Sequence, residues 1–229
     1  YNTAYYDKVG DKLDQFNQKN LSKNMTRYYD GGSPTALWSV RSAGIDPASG
    51  REIFITKNGK YTFDYSYDDE VELGDTRPDI EGTWGNTFYW KGFSCSLFLR
   101  YSLGGDAFSS TLYDKVENIS SSDLSRNQDR RALYDRWLKP GDKARFKGIS
   151  LTESTPMSSR FVQKNNYLAI ESVRISYELP YQLMNKIGIQ GVTVSAYMND
   201  ICRWSTIKEE RGTSYPFARS VSMSLSVNF

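Results

Sequence analysis

The residues S-V-S-M-S-L-S-V-N-F, from Ser220 to Phe229, alternate without exception. Val221, Met223, Leu225, Val227 and Phe229 fall on one face of an extended chain, and Ser220, Ser222, Ser224, Ser226 and Asn228 fall on the other. A strand of a soluble sandwich also buries one face, so the pattern alone leaves two fold classes open. A strand that crosses a bilayer needs about 9 to 11 tilted residues, with apolar side chains toward lipid and small polar ones toward the lumen. Ten residues closing on an aromatic suit that second class.

The same alternation recurs upstream. Gly191 to Cys202 sets Val192, Val194, Ala196 and Met198 against Thr193, Ser195, Tyr197 and Asn199. Tyr167 to Leu179 sets Val173, Ile175, Tyr177 and Leu179 against Arg174, Ser176 and Glu178, and Pro180 closes it. Glu171 interrupts the apolar face, which predicts a bulge or the membrane boundary there. Gly82 to Trp90 and Phe93 to Leu103 form a hairpin joined only by Lys91-Gly92. On its second strand Phe93, Cys95, Leu97, Leu99, Tyr101 and Leu103 share a face, while Arg100 sits among serines on the other, a sign that this other face is wet.

The remaining segments are less regular. Residues 4 to 21 carry Tyr6, Val9, Leu13 and Phe16 at helical spacing, which predicts a short amphipathic helix packed on something outside the chain. Ala36 to Arg41 reads as a short strand. Glu52 to Lys57 and Lys60 to Tyr65 flank Asn58-Gly59, a hairpin signal in which both central residues take positive φ. Asp68, Asp69, Glu70, Glu72 and Asp75 form an acidic run without calcium-loop spacing, best read as a solvated loop. Between Gly104 and about Asn166 no regular strand is evident, and a helix is predicted around Asp129 to Leu138, ended by Pro140-Gly141.

Connection lengths discriminate between the fold classes. Traced back from Phe229, Lys91-Gly92 and Pro180 to Gln190 fall on the same side of the strands, and both are short. The opposite side receives Ser42 to Glu81, Gly104 to Asn166 and Arg203 to Pro216, all longer. Short turns on one side and long loops on the other characterise outer-membrane barrels, whereas long irregular loops are uncommon in compact soluble domains.

Composition narrows the function classes. The 229 residues include 17 Tyr, with 14% aromatics at a mean hydropathy of −0.61. Such amphipathic rings suit membrane interfaces, sugar-binding surfaces and protein interfaces. No apolar run approaches the ~18 residues of a transmembrane helix. A net charge of +2 implies neither nucleic acid nor an anionic bilayer surface as partner. The absence of histidine removes Ser-His and Cys-His catalysis from this chain and the commonest metal ligand. No motif places a carboxylate pair, so nothing points to an enzyme, a metal or a cofactor. Cys95 and Cys202 lack C-x-x-C spacing and read as isolated small apolar residues, a disulfide being the alternative. The opening Y-N-T-A-Y-Y has no secretory signal, which reads as a mature start or an internal fragment.

Several stretches together resemble the C-terminal part of SusC/RagA-type TonB-dependent transporters. They are G-I-D-P-A-S-G at 44–50, G-D-T-R-P-D at 74–79, F-Y-W-K-G-F at 88–93, R-Y-S-L-G-G-D-A at 100–107, S-R-F-V-Q-K-N-N-Y-L at 159–168 and Y-P-F-A-R-S-V-S-M-S-L-S-V-N-F at 215–229. Each motif is weak alone; their order and spacing are specific. The resemblance implies an all-β fold, an antiparallel transmembrane β-barrel of 22 strands of which residues 1–229 supply about six C-terminal ones, with long extracellular loops and one or two short helices. It also implies a bacterial outer-membrane location and import of glycans or peptides. The expected partners are a SusD-like surface lipoprotein, outer-membrane lipid, the remaining N-terminal part with its plug and other strands, and TonB contacted through that part, since plug and TonB box are expected to lie outside this chain. Phe229 is implied as an assembly signal. In the longest loop Arg130, Arg131, Tyr134, Arg136 and Trp137 are candidate contacts to substrate or lid, because aromatic rings stack on sugars and guanidinium groups bind carboxylates. The alternative from another class is a secreted or surface β-sandwich carbohydrate-binding module.

Overall fold

A computed structural model describes residues 4–150, 153–208 and 218–228. The chain divides into two units, a long sheet (Asp79–Leu103, Asn166–Thr206 and Phe217–Phe229) and a loop unit (Tyr1–Pro78, Gly104–Asn165 and Ile207–Pro216).

The sheet unit contains β5 (Ile80–Trp90), β6 (Phe93–Leu103), β9 (Tyr167–Glu178), β10 (Gly191–Ser205) and β11 (Val221–Asn228). They pair in the order β11-β10-β9-β6-β5, every neighbour antiparallel. Five strands therefore make this sheet among the described residues, where about six were expected. Phe229 lies outside the described residues.

Local chemistry explains the two short joints. Lys91 (φ 45°) and Gly92 (φ 86°) both adopt left-handed backbone, as a two-residue hairpin loop requires. A Cβ on Gly92 would lie 2.9 Å from the Glu178 carbonyl oxygen, so a side chain there is both strained and crowded. Between β9 and β10 the connection folds into a helical turn, α2 (Tyr181–Met184), after Pro180. Ladder register shifts at Glu171 on both sides of β9, between Ile170 and Ser172. The bulge expected from the interrupted pattern is thus present, and it turns Glu171 so that Arg100 Nε donates to it at 2.6 Å.

The loop unit holds α1 (Asp11–Asn20) and a four-stranded sheet in the order β3-β2-β1-β4, formed by β1 (Ala36–Ile45), β2 (Glu52–Ile55), β3 (Tyr61–Thr62) and β4 (Glu70–Asp75). A small ladder of β7 (Asp106–Phe108) and β8 (Val162–Lys164) accompanies it. The core is a cluster of Leu112, Val116, Phe146 and Phe161, with Phe108 and Tyr113 packed on it.

Five expectations are corrected in this unit. The acidic run is not a solvated loop from Glu70 onward: Glu70–Asp75 is β4, paired with β1, and Glu70 is buried. The segment 104–166 does contain strands, β7 and β8. The helix expected over Asp129–Leu138 is reduced to one 3-10 turn, Arg130–Leu133. Asp129 caps it by accepting from Arg131 N at 2.8 Å. Asp135 then turns left-handed (φ 57°), and its carbonyl accepts from Phe146 N, pulling the chain out of helical register. At Asn58-Gly59 only Gly59 takes positive φ (79°); with Gly59 N donating to Thr56 O and Thr56 N to Lys60 O, the loop is a three-residue hairpin with a left-handed glycine. Finally, α1 packs within the chain: the Phe16 ring lies 5.2 Å from Tyr28, and Asn17 Nδ2 donates to Tyr28 O at 2.7 Å.

Candidate functional site

Register converts five separate alternations into two continuous surfaces. One transverse row reads Trp90, Phe93, Tyr177, Val194, Leu225; the next reads Phe88, Cys95, Ile175, Ala196, Met223; then come Asn86, Leu97, Val173, Met198, Val221. Beyond the bulge the rows continue as Trp84, Leu99, Ile170, Cys202 and Gly82, Tyr101, Leu168, Trp204. Asn86 and Gly82 apart, this face is apolar. It is also uncovered: Met223 is 77% exposed, Leu225 67% and Trp90 68%. An uncovered apolar surface spanning five strands far exceeds what a water-facing monomer normally shows.

Aromatic side chains concentrate at both ends of that face, Trp90, Phe93 and Tyr177 at the short-turn end and Trp84, Tyr101 and Trp204 toward the other. The Phe93 and Tyr177 rings are 4.3 Å apart. The ten residue steps from Phe93 to Leu103 span about 34 Å along the strand, or about 26 Å across a bilayer at the usual tilt of about 40°. Cys95 and Cys202 both lie on this face as free thiols, on strands separated by β9.

The opposite face is polar and hydrogen-bonded to itself. Thr87 and Ser96 hydroxyls lie 3.0 Å apart, Ser195 Oγ donates to Ser176 Oγ at 2.9 Å, and the Arg203 guanidinium sits 4.2 Å from the centre of the Tyr167 ring. Together with the Arg100–Glu171 pair these contacts suit a hydrated face.

In the loop unit several charged groups are buried. Arg27 and Glu70, 43 positions apart, form a bidentate pair at 2.8 and 2.7 Å, and the remaining Arg27 donors reach the carbonyls of Leu21, Asn24 and Thr26. Burial pushes the Glu70 carboxyl up, with the Arg27 hydrogen bonds and charge acting against it. This pair lines a cavity of about 140 Å³ shared with Trp38, Tyr65, Tyr113 and Met157. A second cluster joins β2 to the long loop: Arg160 Nη2 donates to Glu52 at 2.7 Å and to Glu117 at 2.8 Å, and Ser158 Oγ donates to Glu52 at 2.5 Å. Burial would lower the Arg160 pKa, but both carboxylates outweigh it and hold the guanidinium firmly charged. The pairings of these five charged residues carry no sequence signal, because each forms only through tertiary folding.

The five loop residues singled out from the sequence separate into two groups. Arg136 is buried, its Nε donating to Ala132 O at 2.6 Å and its Nη1 to Lys147 O at 2.9 Å. Trp137 stands over Gly50, and its Nε1 donates to Pro47 O at 2.9 Å. Both fix the loop. Arg131 pairs with Asp129 at 2.6 Å, while Tyr134 is exposed with the Arg130 guanidinium 5.8 Å from its ring centre. No group of His, Cys, Asp and Glu able to hold a metal occurs among the described residues.

No family model matches the chain. TonB-dependent receptor P26 of Formosa agariphila is 23% identical over 91% of the chain, and TonB-dependent receptor P3 of the same organism is 25% identical over 75%. Among solved structures, the RagAB peptide importer in its open-open state superposes with a TM-score of 0.69 at 18% identity, covering 90% of this chain and 24% of that one. The chain is similar to part of a TonB-dependent receptor. The structure of the RagAB peptide transporter gives a TM-score of 0.66 at 19% identity, over 81% of this chain and 20% of that one. The chain spans 24% and 16% of the two TonB-dependent receptors it matches. These likenesses agree with the resemblance read from the motifs.

Proposed function

We propose that this chain is the C-terminal barrel portion of an outer-membrane TonB-dependent transporter. The observation that carries the proposal is the five-stranded sheet with one continuous, uncovered apolar face, aromatic at both ends, and one hydrogen-bonded polar face. In this reading the apolar face lies in lipid and the serine-rich face lines the lumen. The rest of a 22-stranded barrel, with its plug, completes the wall and contacts TonB. The long connections leaving the sheet opposite its short turns lie outside the cell, where a SusD-like lipoprotein closes over them. Cargo is a glycan or a peptide: the exposed Tyr134 and its neighbour Arg130 offer a stacking surface and a carboxylate binder respectively. Phe229 acts as the assembly signal. A β-sandwich carbohydrate-binding module is the weaker reading, because a sandwich would bury the face that stands uncovered here.

The test compares adjacent residues of β11 in the intact protein. With Cys95 and Cys202 replaced by alanine, Met223→Cys and Ser224→Cys are each exposed to a water-soluble maleimide in isolated outer membranes. Ser224→Cys is expected to label and Met223→Cys to resist until detergent is added. Recovery of the protein from plain buffer, with both positions labelling equally, would overturn the proposal.

A further inference from the structure

We infer that the loop unit binds one internal water molecule at Glu117, which accepts from Arg136 Nη2 and donates to Glu117 Oε2. The inference concerns the loop unit alone and does not rest on which solvent the long sheet faces.

Two buried groups are each left one bond short. Glu117 closes a π-helical segment, Thr111–Glu117, whose Leu112 and Val116 enter the core. Its carboxylate oxygens are used unequally. Oε1 accepts from Arg160 Nη2 at 2.8 Å and from Thr155 Oγ1 at 3.2 Å, whereas Oε2 makes no hydrogen bond among the described residues. Arg136 shows the complementary imbalance. Its Nε and Nη1 reach the carbonyls of Ala132 and Lys147, and its Nη2 makes no hydrogen bond among the described residues. Both residues are more than nine-tenths buried, a depth at which an unpaired donor or acceptor is strongly unfavourable.

The chain brings these two groups together. Arg160 Nη1 donates to Arg145 O at 2.7 Å, and Arg136 Nη1 donates to Lys147 O at 2.9 Å. Positions 145 and 147 are at most about 7 Å apart along the backbone, so the two guanidinium groups are anchored side by side. Arg160 holds Glu117 by its other terminal nitrogen, which sets that carboxylate beside Arg136. Accordingly, burial pushes the Arg136 guanidinium down while the charge of Glu117 opposes it.

The unused atoms select the ligand. A halide would suit Nη2 and be repelled by Oε2, and a metal cation would meet the reverse conflict. The charges of Glu52, Glu117, Arg136 and Arg160 cancel, so the cluster favours neither ion. Water accepts on one side and donates on the other, as internal waters between buried polar groups do. Solvent also stands close by, because Thr155, which donates to Glu117, lines the same cavity as Arg27 and Glu70.

The experiment is a crystal structure of the intact protein at a resolution that shows ordered water, repeated after a bromide soak and for Arg136→Met. The wild type is expected to show one peak about 2.7–3.2 Å from both Arg136 Nη2 and Glu117 Oε2, with no anomalous signal from bromide. Arg136→Met should lose the peak, and hydrogen exchange over Thr111–Glu117 should rise at least about fivefold, as loss of one hydrogen bond implies. Direct contact between Arg136 and Glu117 with no peak, a peak replaced by bromide, or a peak that persists in Arg136→Met would overturn the inference. Should Arg136→Met fail to fold, the wild-type map and the bromide soak decide it.

Discussion

The two units solve the burial problem with opposite polarity. In the sheet unit Met223 and Leu225 face outward while Ser195 is nearly inaccessible; in the loop unit Val116 and Phe161 are fully buried, and the charges of Arg27 and Glu70 are buried with them. On the proposed reading, the difference follows from the solvent each unit faces. Lipid accepts apolar side chains and rejects unpaired backbone, so a membrane strand needs its ladder and little core. Water rewards apolar burial, so the loop unit gathers a core and pairs most of the charges it traps there, while the buried Arg136 is held by backbone carbonyls.

The largest expected effect comes from breaking that neutralisation. Arg27→Met leaves Glu70 buried without its partner, which typically costs about 3–5 kcal/mol. Hydrogen exchange should rise across α1, β1 and β4 while the ladders of β9, β10 and β11 stay protected. Burial already raises the Glu70 carboxyl, and losing Arg27 removes the opposing effect. A carboxyl raised in the folded state favours folding below its unfolded pKa, and that contribution is lost as pH rises through the folded value. Mild acid should therefore partly restore Arg27→Met. Uniform exchange over both units would show that they do not respond separately.

A smaller effect sharpens the sheet side of the comparison. Leu97 occupies the middle row of the apolar face, beside Ser96 on the polar one. Leu97→Arg should cost about 2–4 kcal/mol in a bilayer, as arginine does at the midplane. Ser96→Arg should cost less, because it enters the polar face, where repulsion from Arg174 directly across the ladder is worth only about 0.2–1 kcal/mol. Urea unfolding of the intact protein in phospholipid vesicles measures both, and equal costs would contradict a wet lumen.

The same contrast explains what the sequence reveals. Strands β5, β6, β9, β10 and β11 were legible because each displays both of its environments in its own residues, and Glu171 exposed its bulge by interrupting them. β4 was hidden because Glu70 reads as solvated until Arg27, 43 positions earlier, supplies its counter-charge. The helix expected at Asp129–Leu138 stops at Tyr134, whose backbone is extended, and beyond it Asp135 is left-handed and accepts backbone hydrogen bonds from Arg145 and Phe146. Among the candidate contacts, side-chain type gave no warning that Arg136 would be used internally and Tyr134 would stay exposed, since partners and not identity decide that.

The smallest expected effect concerns Tyr65, on the wall of the loop-unit cavity. Its hydroxyl donates to Met157 O at 3.0 Å, and its ring contacts Phe54 and Tyr67, each 5.2 Å away. Burial raises its pKa well above the ordinary phenol, with a hydrogen bond to Ser39 opposing and the charge of Glu70 adding to it. Because the folded value lies above the unfolded one, the protonated phenol's contribution is complete below about pH 10 and is lost as pH rises through the folded value. Tyr65→Phe should cost about 1 kcal/mol at neutral pH, the worth of one hydrogen bond, and should make the loop unit less sensitive to alkali. Tyrosinate absorbance, followed with exchange at β1 and β4, checks both. If Tyr65 ionises with the exposed tyrosines before any exchange change, water reaches the phenol in the folded state, and the cavity is open to solvent at the wall where Met157 meets β1.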